Sequence, residues 1–69
     1  MKKLPILSGL DVIKLLKKSG FIATRQKGSH VRLEKQDIKL TVPLHKELKK
    51  GTLLRIIKDA RLKKEDFNK

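Results

Sequence analysis

The sequence predicts an α+β domain in the order α-β-β-β-α, with a three-stranded antiparallel sheet carrying both helices on one face. Three observations predict it. Apolar residues recur at helical spacing near the start, three short β-prone runs follow, and helical spacing returns near the end. The 69 residues fit a single domain over 1–69, and a domain this small buries only about 60% of the surface its unfolded chain exposes. Hydrophobic residues make up 38% of the chain, and Phe21 and Phe67 are the only aromatics. That suffices for one layer of helices on one small sheet.

The first helix is announced by Ser8-Gly9-Leu10-Asp11. Ser8 can accept from a free amide of the first turn, and Asp11 can reach back to the capping residue. Leu10, Ile13 and Leu16 fall at helical spacing, widened by Val12 and Leu15. Lys14, Lys17 and Lys18 take the outer face and last turn, where cations suit the helix dipole, and Gly20 is a left-handed stop. The spacing therefore predicts a helix from about Gly9 to Lys18.

The period then changes. Phe21 to Gln26 is β-prone, Lys27-Gly28-Ser29 signals a turn, and His30 to Glu34 alternates strictly. Lys35-Gln36-Asp37 supplies a second turn, and Ile38 to Val42 alternates until Pro43 ends it. Alternation puts Val31, Leu33, Ile38, Leu40 and Val42 on the core face, and His30, Arg32, Glu34, Lys39 and Thr41 on the opposite one. Leu44 to Gly51 reads as a loop, with Thr52 capping a second helix from Leu53 to about Ala60. In it Leu53, Ile56, Ile57 and Ala60 repeat at helical spacing. Leu62 and Phe67 can pin a short final turn. Both helices must cover the one apolar sheet face, which leaves the other face open. The element order is that of double-stranded RNA-binding domains.

Charge is the most informative quantity. Nineteen Lys and Arg against seven Asp and Glu give a formal net charge of +12. Solubility asks only for a magnitude of about 2–8 in a small domain, so the excess points to a polyanionic partner that relieves the self-repulsion. The absence of cysteine excludes disulfides and thiolate metal sites and suits a reducing, cytoplasmic setting. The basic start Met1-Lys2-Lys3 precedes too short an apolar run for a secretory leader. No stretch approaches the roughly 20 apolar residues of a membrane span. On charge alone nucleic acid, an anionic membrane surface and an acidic protein all qualify; nucleic acid is the partner expected, with no membrane and no small-molecule cofactor.

Gly28-Ser29-His30 is the first candidate for chemistry. Glycine allows close backbone approach to phosphate, serine offers a hydroxyl and an amide, and histidine exchanges protons near neutral pH. Arg25 and Lys27 lie on the near side of the turn, and Arg32 shares a face with His30. An imidazole ringed by cations fits metal-free RNA cleavage, with a base for the 2′-hydroxyl and fixed positive charge for the phosphorane. The bland alternative is an exposed strand histidine with no task. His45, just past Pro43, lies at the strand end expected near His30, where the two histidines can approach each other; a loop histidine hydrogen-bonded to backbone is the favoured reading. Two histidines without cysteine or a well-placed aspartate make a poor zinc site. Lys49 and Lys50, with Lys46 and Gly51, gather before a helix whose free amides attract phosphate. Phosphate-binding loops, dinucleotide fingerprints and aromatic stacking platforms are missing from the sequence.

These motifs, taken in order, resemble the HicA family of mRNA interferase toxins. The resemblance runs through Ser8-Gly9 and its helix, Gly20-Phe21, and the block Arg25-Gln26-Lys27-Gly28-Ser29-His30. It continues in Val42-Pro43-Leu44-His45, Glu47-Leu48, Gly51-Thr52-Leu53, Ile56-Ile57-Lys58 and the tail from Leu62 to Phe67. It implies a double-stranded-RNA-binding-like fold, metal-independent cleavage of mRNA, growth arrest, and neutralisation by a HicB-type antitoxin. The family's catalytic histidine maps onto His30; no catalytic role is carried over to His45, which stands as an auxiliary at most. Gly28, Ser29, Arg25, Lys27, Arg32, Lys49 and Lys50 are the phosphate-binding candidates. The sequence departs from the family at Arg61, where many members have Gly. The alternative function is a non-catalytic double-stranded RNA-binding module. A third reading makes the chain chiefly one half of a protein complex, its basic face and His30 covered by an acidic antitoxin.

Overall fold

A computed structural model describes residues 6–67. The basic start read as no secretory leader lies largely outside the described residues. Helix α1 spans Gly9–Lys18, strands β1, β2 and β3 span Ile22–Lys27, His30–Lys35 and Ile38–Pro43, helix α2 spans Lys50–Asp59, and a short 3-10 turn covers Lys64–Phe67. The strands form one antiparallel sheet in the order β1-β2-β3. This is the α+β architecture the sequence predicts, with the apolar face of β2 and β3 packed under both helices.

The core is continuous. Val31, Leu33, Leu40 and Val42 from the sheet meet Val12, Ile13 and Leu16 of α1 and Leu53, Ile56 and Ile57 of α2. Phe21 and Phe67 are both buried in it, as their sequence positions suggest. Leu10 departs from expectation. Its spacing puts it on the core stripe, yet it is 62% exposed, because the buried stripe runs through Gly9, Val12, Ile13 and Leu16. The phase is set at Gly9, where a Cβ would collide with the Pro43 carbonyl oxygen and lie 3.0 Å from Leu44 Cα. With that face held against the loop, Leu10 is turned outward.

Both helix starts use buried residues to fix the entering chain. In α1 the Asp11 amide donates to the Ser8 hydroxyl and the Ser8 amide to the Asp11 carboxylate, each at 3.1 Å. Leu7 before the cap and Val12 in the first turn are both buried, the positions of a hydrophobic staple. The start of α2 corrects the expectation that Thr52 caps a helix beginning at Leu53. The cap position belongs to Lys49, which is extended and makes no side-chain cap bond; its carbonyl accepts from the Leu53 amide at 2.9 Å. Leu48 and Leu53, both buried, occupy the staple positions. Apolar anchoring thus starts the helix three residues ahead of Leu53, and Thr52 becomes part of its first turn.

The helix ends are also alike. Phe21 donates to the Leu16 carbonyl and Gly20 to that of Lys17; Leu62 donates to Ile57 and Arg61 to Lys58. Each is a Schellman motif, which needs a left-handed residue just past the cap. Gly20 supplies it in α1, and Arg61 supplies it in α2 at φ 58°. The departure at Arg61 therefore sits where left-handed backbone is required. Arg61→Gly is expected to stabilise the fold by up to about 1 kcal/mol. The exposed Arg61–Asp37 pair at 3.6 Å offsets this by a fraction, since such pairs are worth roughly 0–1 kcal/mol. Chemical denaturation checks the sign, and a loss of stability would mean the pair outweighs the strain. In the same assay Gly9→Ala is expected to cost about 1–3 kcal/mol, because the added methyl meets the Pro43–Leu44 backbone.

Candidate functional site

The β1–β2 hairpin positions the site. Its two-residue turn, Gly28-Ser29, has positive φ at Gly28 only, the pattern of a type II′ turn. Lys27 pairs with His30 and Arg25 with Arg32 across the strands; His30 and Arg32 in turn face Pro43 and Thr41 of β3. Arg25, Lys27, His30, Arg32 and Thr41 accordingly line one shallow depression on the open face. The Leu44 amide donates to the Ser29 carbonyl at 2.6 Å, fixing the turn against the strand exit.

A bulge in β1 makes this arrangement compatible with the core. Phe21, Arg25 and Lys27 have the same parity, so strict alternation would send all three to one face. Yet Phe21 is buried, and both cations pair with residues of the open face. The register shifts between Ala23 and Arg25, leaving Thr24 as the extra residue, and its hydroxyl donates to Glu34 at 2.9 Å on the outer side. One inserted residue reverses the phase. The conflict of parity was the available sequence signal for the bulge.

The cations of the face lack acidic partners among the described residues. Among the described residues the ion pairs are Arg55–Asp59 and Arg61–Asp37, so Arg25, Lys27, Arg32 and Lys39 have no carboxylate within ion-pair distance. His30 is exposed and its ring makes no hydrogen bond among the described residues. No cluster of three His, Cys, Asp or Glu suited to a metal ion occurs among the described residues, and no helix there is long and apolar enough to cross a membrane.

The other sequence candidates are distributed differently. Lys49 and Lys50 stand exposed at the start of α2, where no acidic residue occupies the first turn. Thr52, two residues on, reaches a second groove that His30 also lines. His45 does not join His30. The end of β3 does lie beside His30, but the chain then turns towards α1, the Gly9 amide donating to the His45 carbonyl at 2.9 Å. The residue lines a separate groove with Ser8, Leu10 and Leu44.

Thr41, Arg55 and Asp59, which the sequence does not mark as site residues, all line grooves with His30. Thr52, Arg55 and Asp59 follow helical spacing along the border of the α2 core stripe, a legible signal once α2 is known to pack beside β3.

A three-stranded sheet backed by two helices, with an exposed histidine among unpaired cations, defines a small basic α+β protein with one open, cationic sheet face. The chain belongs to the HicA toxin family of bacterial toxin–antitoxin systems, whose model matches residues 9–62. It is similar to a chain of a solved toxin–antitoxin complex from Streptococcus pneumoniae, with 43% identity, a TM-score of 0.73, and coverage of 81% of this chain and 98% of that one. The comparison with curated proteins finds no match.

Because the His30 ring is exposed and makes no hydrogen bond among the described residues, His30→Ala is expected to change stability by less than about 0.5 kcal/mol. Thermal unfolding measures this, and a large drop would show that the ring is structural.

Proposed function

We propose that this protein is the toxin of a type II toxin–antitoxin pair, an endoribonuclease that cuts mRNA and so arrests translation and growth in the cytoplasm. His30 is its general base or acid. The observation that carries the reading is the exposed, unbonded imidazole in a depression whose cations, Arg25, Lys27 and Arg32, have no acidic partner among the described residues. Family membership and the element order, that of double-stranded RNA-binding domains, agree with RNA as the polyanion.

The chemistry follows from the placement. A neutral His30 takes the proton of the ribose 2′-hydroxyl, and the oxygen attacks the adjacent phosphorus. Arg25, Lys27 and Arg32 stabilise the charge that grows on the phosphorane oxygens. The 5′-oxygen leaves with a proton from the imidazolium or from water, and the attacked strand ends in a cyclic phosphate. No step of this scheme asks for a metal or another cofactor. In this reading the amides of Gly28 and Ser29, in the turn before His30, add phosphate contacts. Lys49 and Lys50, at a helix start without a side-chain cap, offer a second phosphate contact.

The partner proposed is a HicB-type antitoxin that covers this face. The similar solved chain comes from a toxin–antitoxin complex, and an acidic partner would relieve the charge of +12.

Purified protein is expected to cut single-stranded mRNA in excess EDTA, and His30→Ala to lower the rate by at least about 10²-fold. Binding without cutting would instead leave the non-catalytic RNA-binding module. In binding titrations with single-stranded RNA, Arg25→Ala, Lys27→Ala and Arg32→Ala are each expected to reduce the slope of log affinity against log salt by about 0.7. An unchanged slope removes that residue from the phosphate contacts.

A further inference from the structure

His30 stands at the boundary of two concavities. One is the cationic depression on the open face. The other is a groove of about 400 Å³ between β3 and α2, lined by Leu40, Pro43, Thr52, Arg55, Ile56 and Asp59. Both share His30 and Thr41, so an RNA strand whose phosphate lies beside His30 can place a neighbouring nucleotide in the groove. The volume lies within the roughly 300–1,000 Å³ range of small-molecule sites.

Asp59 is out of place there unless it has a ligand. The chain carries seven acidic residues against nineteen basic ones, and several of the seven have local tasks. Asp11 caps α1, Glu34 accepts from Thr24, Asp37 pairs with Arg61, and Asp66 accepts from the Lys63 amide. Asp59 instead occupies the last turn of α2, where the helix dipole disfavours a carboxylate. It also borders the surface on which a polyanion is to lie. Its contact with Arg55 is loose: Nε to carboxylate oxygen is 3.7 Å, with the side chains 83% and 48% exposed, too long for a hydrogen bond.

We infer that this groove is a base-reading subsite selective for guanine. The inference rests on the ribonuclease reading and deepens it. A carboxylate accepts hydrogen bonds and donates none, so it suits a base edge with two adjacent donors. Guanine presents them at N1 and the exocyclic N2, whereas each of the other bases places an acceptor beside its donor. The Arg55 guanidinium, next to Asp59, donates to guanine O6 on the same edge. Half-buried Pro43 offers apolar surface to the ring, with the core residues Leu40 and Ile56 at the floor of the groove. Asp59 and Arg55 thus determine specificity, while His30 carries the chemistry.

The test reads binding without cleavage, using the His30→Ala chain and short RNAs of uridines with one central G, A, C or U. The G-containing strand is expected to bind about tenfold more tightly than the others; adding Asp59→Asn brings the four affinities to within about twofold of one another. Thermal unfolding of the Asp59→Asn chain accompanies the titration, and an unchanged or slightly raised midpoint separates base reading from a structural role. Equal affinities for the four strands, or a guanine preference that survives Asp59→Asn, overturns the subsite. Cutting by the unmodified chain is read separately on the same RNAs. Guanine preference without cutting keeps the subsite and removes the nuclease, and cutting without guanine preference does the reverse.

Discussion

Three backbone hydrogen bonds around the exit of β3 hold the parts of this small domain in relation to one another. The Leu44 amide donates to the Ser29 carbonyl at 2.6 Å, the Gly9 amide to the His45 carbonyl at 2.9 Å, and the Leu48 amide to the Leu7 carbonyl at 2.8 Å. They join the β1–β2 turn, the start of α1 and the approach to α2 at one place. Gly9 allows it, because any side chain there would strike the Pro43–Leu44 backbone. His30 pairs with Pro43 at the edge of this junction, so an exposed side chain stands on well-fixed backbone. For a residue proposed to abstract a proton, that rigidity replaces the support a hydrogen-bonded partner would give its ring.

The site divides into a fixed part and a charged part. The sheet register fixes Arg25, Lys27, Arg32 and His30 on one face; their repulsion is left uncompensated by carboxylates among the described residues. Such a face costs stability in the free protein and gains it back on meeting phosphate or an acidic surface. Proteins of this size have little stability to spare. The capping box of α1, the staples at both helix starts and the paired Schellman motifs show how local structure compensates for a small core.

Much of this was legible in the sequence, because helix α1, the strands and the face of His30 follow from periods of 3.6 and 2 and from capping residues. Helix α2 was misplaced at its start because Thr52 looks like a cap while the anchoring is done by Leu48 and Leu53, whose burial depends on tertiary packing. Leu10 was misread for a related reason: hydrophobicity gives the width of a stripe, but a backbone contact at Gly9 decides which edge of it is buried. The groove of Thr52, Arg55 and Asp59 joins residues far apart in sequence, and only the packing of α2 beside β3 brings them to His30. The antiparallel strands did bring the end of β3 to His30, but the following turn carried His45 away towards α1.

Strand β1 lies at the edge of the sheet, paired on one side only, and all six of its residues are exposed. An edge of this kind is a template on which a second chain can add a strand, the usual first step of aggregation. Two devices blunt it here, the bulge at Thr24 and the side chains of Arg25 and Lys27, since kinked and charged edges pair poorly with copies of themselves. The residues proposed to hold RNA are thereby also gatekeepers of solubility. Neutralising them exposes an edge that their mutual repulsion otherwise protects, so a charge-stripped copy of this domain faces self-association as well as loss of its ligand.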